Sequence, residues 1–146
     1  MPALQQPIRI HRRAYYIFMI SAVLFGLGQF HRLSGAVTIP AIADDLSFNV
    51  NSLGFIAAAL FFTSAILQVP NGLLLDRYGP RRLVPVYVGT AIVGCIVLAY
   101  ATTYEAVLVG RILLGGGFSV TMMSSYVLFS RWFPADKFAT VASWLV

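Results

Sequence analysis

From Leu53 to Leu75 the chain reads LGFIAAALFFTSAILQVPNGLLL, without a single charged side chain. Few environments accept such a run. A helix of about 20 apolar residues, rising about 1.5 Å per residue, spans the roughly 30 Å hydrocarbon core of a bilayer. Three further stretches match that length, at about residues 14–42, 83–101 and 106–130, and a fifth apolar stretch opens at Phe138. The fifth is too short to cross a membrane before the sequence stops at Val146, an ending that suggests a fragment. Of the 146 residues, 59% are hydrophobic and only 10% are charged. An ordinary soluble domain carries roughly 25% charged residues, so this chain lacks the polar surface to clothe four such helices in water. The sequence predicts an all-α, multipass transmembrane helical bundle, with the lipid bilayer as its solvent.

The charges at the ends of these segments set a direction. Arg9, Arg12 and Arg13 precede the first, while Asp44 and Asp45 follow it. Arg77, Arg81 and Arg82 outweigh Asp76 after the second; Glu105 alone lies between the third and fourth; Arg131 and Lys137 outweigh Asp136 after the fourth. By the positive-inside rule the N-terminus is cytoplasmic, in a cell (inner) membrane. The net charge of +5 is therefore a topology signal and points to no nucleic acid. A cleaved signal peptide is not the expectation, because His31 and Arg32 stand where a small-residue cleavage site belongs. Cys95 is the only cysteine, so no internal disulfide and no CxxC metal site exists, and it reads as a small buried hydrophobe.

The turn NGLLLDRYGPRR, Asn71 to Arg82, joins the second and third segments. Gly79 takes a positive φ cheaply, and Pro80 fixes φ as the next helix opens. Gly72 permits close helix approach. Topology explains the arginines but not Asp76, which would face a cation such as Arg131 or the positive end of another helix.

The turn resembles the loop 2–3 signature of the major facilitator superfamily, G-x-L-x-D-R-x-G-R-R/K, through Gly72, Leu74, Asp76, Arg77, Gly79, Arg81 and Arg82. It departs at Pro80, where the family carries a basic residue. LVGRILLGGG resembles the family's fourth-helix motif R-x-x-x-G-x-G through Arg111, Gly115 and Gly117, and RWFP, Arg131 to Pro134, its lead-in to helix five. The resemblance implies the first part of a secondary transporter, a partial N-terminal half whose second helical bundle is missing and is expected for activity. It implies alternating access about a midplane site, with the loop 2–3 acid and arginines clamping one side. It also associates Arg111 with coupling to a proton or counter-solute. QFHRLSGAVTIP resembles the first helix of organic-phosphate and organic-anion permeases, which implies that Arg32 grips a substrate anion.

The residues themselves leave alternatives open. An arginine at mid-membrane costs about 2.5–3.5 kcal/mol on insertion scales, so Arg111 and Arg32 each face a cavity or snorkel to the surface. Guanidinium pairs with carboxylate or phosphate bidentately, which suits a solute site shared with Gln29 on the same face as Arg32. Ser64, Gln68 and Asn71 recur on one face of the second helix as polar glue or as cavity lining, making Gln68 and Asn71 further candidates for solute binding. His31 points away from Arg32 and reads as structural.

No phosphate-binding loop, metal-spaced cluster or hydrolytic triad appears, so the expectation is no enzyme, no cofactor and no metal. The reading is a secondary transporter of a small solute, an organic anion being one candidate. The rival reading is a small four-helix membrane protein that scaffolds an assembly without transporting.

Overall fold

The computed structural model describes residues 12–45 and 49–145, and among them every regular element is an α-helix. Arg9, the first of the basic residues used for topology, lies outside the described residues. The elements are α1 (Arg12–Asp45), α2 (Val50–Tyr78), α3 (Pro80–Ala99), α4 (Tyr104–Ser119), α5 (Thr121–Trp132) and α6 (Ala135–Ser143). Among the described residues, four helical spans are long and apolar enough to cross a membrane: Arg12–Ile42, Ser52–Tyr78, Pro80–Ala99 and Tyr104–Trp132. This is a partial bundle of a multipass membrane protein.

The fourth span is divided at Val120, whereas the sequence suggested one helix over 106–130. Hydroxyls explain the break. Ser119 Oγ donates to the Gly116 carbonyl at 2.6 Å, and Thr121 Oγ1 to the Phe118 carbonyl, competing with the regular ladder. Val120 keeps right-handed backbone angles (φ −87°, ψ −14°), so α5 continues the course of α4. The last helix starts earlier than residue 138, at Ala135, because the Pro134 carbonyl accepts from both Lys137 and Phe138 N–H at 3.0 Å.

The fourth span is the centre of the bundle. In its most apolar stretch 56% of residues are buried, against 17% in each of the other three. Glycine puts it there. A Cβ on Gly115 would lie 2.4 Å from the Leu60 carbonyl oxygen, and one on Gly117 would lie 2.5 Å from the Ala91 backbone nitrogen. Across the same α3–α4 seam, Gly94 faces Leu114 and Gly110 faces Leu98 in antiparallel order. Small residues let backbones approach where lipid provides no hydrophobic drive between helices. The outer faces carry exposed Phe62, Ile66, Val69 and Leu73 on α2 and Ile92 and Ile96 on α3, which suits contact with lipid.

The α2–α3 connection is a single residue. Gly79 has φ 73° and ψ 161°, a region open essentially to glycine, and Pro80 occupies the first turn of α3. Asp76 is exposed and forms no ion pair with Arg131 or any other described residue; Arg77 lies over the Tyr78 ring at 5.5 Å. Gly72 is not a close-approach point here, since a Cβ there would touch only Met123 Cε at 3.9 Å.

Candidate functional site

Arg32 and Arg111 come to one place. Arg32 sits 20 residues into α1, and Arg111 seven residues into α4, about 10 Å along its axis. Both line a cavity of about 440 Å³ between α1, α2 and α4, whose other walls include Gly35, Ile39, Leu60 and Phe61. No acid lines it. Two guanidinium groups on a cavity otherwise apolar among its described lining residues have the chemistry to pair with a small anion.

The two arginines are held differently. Arg32 is half-buried, and its Nη1 donates to Gln29 Oε1 over a long 3.4 Å, which orients it from the preceding turn. Arg111 is 4% exposed, so it does not snorkel. Its Nη1 donates to the His31 carbonyl on α1 at 3.4 Å, and its Nε is buried without a partner. A buried, incompletely satisfied guanidinium is costly, and a counter-anion is the chemistry that would offset that cost. His31 is the hinge of this contact. Its ring stacks on Phe118 of α4 at 5.5 Å, and Nε2 lies 3.6 Å from Cys95 Sγ on α3. The expected structural role for His31 holds as an interhelical contact.

The polar face of α2 divides. Ser64 Oγ donates to the Gly115 carbonyl at 2.9 Å as well as to Leu60 in its own helix. Asn71, fully buried, donates through Nδ2 to Ser119 Oγ at 2.8 Å and accepts from Tyr87 Oη through Oδ1. Its amide is therefore a tie between α2, α3 and α4, and it does not line the cavity. Gln68 is exposed and is not brought to the cavity either. Sequence reasoning missed Gly35, His31's carbonyl and the Tyr87–Asn71–Ser119 chain. A glycine three residues past an intramembrane arginine was the one available signal.

Residues 18–146 match the sequence model of the Major Facilitator Superfamily. The chain belongs to that superfamily. Its relatives include "Probable anion transporter 3, chloroplastic" of Arabidopsis thaliana, 27% identical over 85% of this chain and 25% of its own length. The glucose transporter GlcP of Staphylococcus epidermidis is 26% identical over 88% of this chain and 29% of its own length. The nitrate/nitrite transporter NrtP of Picosynechococcus is 27% identical over 90% and 23% respectively. The chain thus spans about a quarter of the length of these curated relatives. No solved structure gives a significant match to it. In this major facilitator chain the signature turn and the fourth-helix glycines have distinct structural duties. The turn's Gly79 closes α2 onto α3, and Gly115 and Gly117 hold α4 against both.

Proposed function

We propose that this chain contributes the first helices of a secondary transporter that moves a small organic anion by alternating access, coupled to a proton or a counter-solute. One observation carries the reading: Arg32 and Arg111 share a cavity of about 440 Å³ that, among the described residues, no carboxylate lines. Two relatives named for anions point the same way; a relative named for glucose does not. A neutral sugar gives a buried guanidinium no counter-charge, so the arginine pair favours the anion. Arg32 would grip the solute, Arg111 would neutralise it, and Asp76 with Arg77, Arg81 and Arg82 would clamp one face of the bundle. The excess of arginine after the second and fourth segments supports a cytoplasmic N-terminus.

The test is uptake by the full-length protein in vesicles, with carboxylates, phosphate esters and glucose offered under a proton gradient and under counterflow. Saturable anion uptake is expected. Arg32→Gln and Arg111→Gln should each reduce it roughly thirtyfold or more, the effect of truncating one partner of a buried charged contact. Glucose uptake indifferent to both substitutions would overturn the anion reading. For topology, a reporter active only in the cytoplasm should work when fused after Arg82 and fail at Asp45.

A further inference from the structure

The contact that holds Arg111 depends on an atom that is missing. The Nη end of its guanidinium meets α1 at Gly35: a Cβ there would sit 2.7 Å from Nη1, 2.9 Å from Nη2 and 3.1 Å from Cζ. The carbonyl that Nη1 reaches belongs to His31, four residues earlier, the one to which an α-helix commits the Gly35 N–H. Because Cα–Cβ bonds tilt toward a helix's N-terminus, any side chain at position 35 would cover that carbonyl. Glycine leaves it bare, so the guanidinium can share it. Glycine in a helix interior is destabilising relative to alanine, and no turn or positive φ requires it here.

We propose that Gly35 is the positioning residue for Arg111: its absent Cβ forms the seat that presses the guanidinium against α1 and fixes how the cavity's anion is met. This rests on the anion reading of the cavity. The seat differs in kind from the other tight glycines. At Gly94, Gly115 and Gly117 an added Cβ meets backbone, whereas at Gly35 it meets the far end of a flexible side chain. Substitution at Gly35 therefore moves Arg111 and leaves the helices where they are. Gly26 on the same helix has nothing within 4 Å of such a Cβ and controls for the change of residue type.

The experiment uses the full-length protein. Gly35→Ala should raise the half-saturation concentration of the transported anion about tenfold while folded yield and maximal rate hold, as expected when binding alone is weakened. Gly26→Ala should change neither. In an Arg111→Lys background, where no planar fork exists to be displaced, Gly35→Ala should add less than about a twofold change. Labelling by phenylglyoxal, followed on the peptide carrying Arg111, should quicken in Gly35→Ala because the guanidinium leaves its seat. Unchanged labelling, or equal increments in both backgrounds, would overturn the proposal. So would a folding defect in Gly35→Ala that persists when Arg111→Ala is added. Faster labelling in a protein that takes up no anion would leave the seat standing and remove the anion reading.

Discussion

Toward α2 and α3, α4 meets its neighbours backbone to backbone, through Gly94, Gly110, Gly115 and Gly117. Toward α1 it sends one guanidinium and one aromatic ring, Arg111 onto Gly35 and Phe118 onto His31 and Gly28. The first contact has no slack, because peptide groups cannot rotate away from an intruding atom. The second is made of side chains with several rotatable bonds. A transporter can use both kinds: a rigid seam to keep three helices in register, and an adjustable one beside the cavity proposed to take the solute.

The comparison breaks most visibly at Gly115. Gly115→Leu drives atoms into the Leu60 carbonyl and should cost about 3 kcal/mol, at the upper end of overpacking effects. Its neighbour provides the contrast. A Cβ on Gly116 would meet only side-chain ends at ordinary contact distance, Leu67 Cδ1 at 3.4 Å and Thr63 Cγ2 at 3.8 Å, so Gly116→Ala should lie within about 0.5 kcal/mol of the parent. Thermal unfolding followed by size-exclusion fluorescence separates the two, and equal losses would refute the backbone seam.

Gly79→Ala attacks the turn that closes the seam. No atom obstructs a Cβ there, but φ 73° with ψ 161° disfavours every other residue type by about 1–3 kcal/mol. The same unfolding assay should show that loss without any change in oligomeric state. Asn71→Leu removes the polar tie, leaving Tyr87 Oη without its acceptor and Ser119 Oγ with only its bond to the Gly116 carbonyl. Interhelical hydrogen bonds in membranes average about 0.6 kcal/mol and reach about 1.7, so a loss near 1 kcal/mol is expected. Tyr87→Phe should reproduce only part of it, and an effect equal to that of Asn71→Leu would mean that Tyr87 carries the tie alone. The smallest change in stability should come from Asp76→Asn, under about 0.5 kcal/mol, since Asp76 is exposed and pairs with no described residue. In the full-length protein the same substitution should slow transport, and unaltered rates across substrate concentrations would remove the clamp role.

Several of these features are legible in the letters. The uncharged run from Leu53 to Leu75 demands a lipid solvent, and Gly79-Pro80 announces a one-residue turn before a helix. The triple glycine of the fourth segment promises close packing, and Gly115 and Gly117 supply it. The letters were less informative about faces. Gln68 and Asn71 share a stripe with Ser64, yet Asn71 is consumed between helices, Ser64 bonds Gly115, and Gln68 points outward. For Arg111 the letters left snorkelling open beside a functional role.

The reason is the solvent. In water, the face of a helix that packs is apolar and the other is not, so periodicity reveals its rotation. In a bilayer both faces are apolar, and rotation about the helix axis leaves little trace in hydropathy. The sequence by itself therefore determined that the chain crosses a membrane four times as helices and where its charged turns fall. Only tertiary structure decided that α4 sits at the centre, that Asn71 is a tie, and that Gly35 bares the carbonyl on which Arg111 rests beside Arg32. Such contacts arise between residues about 50 to 80 positions apart, whose meeting depends on how far each helix is turned and slid against the next.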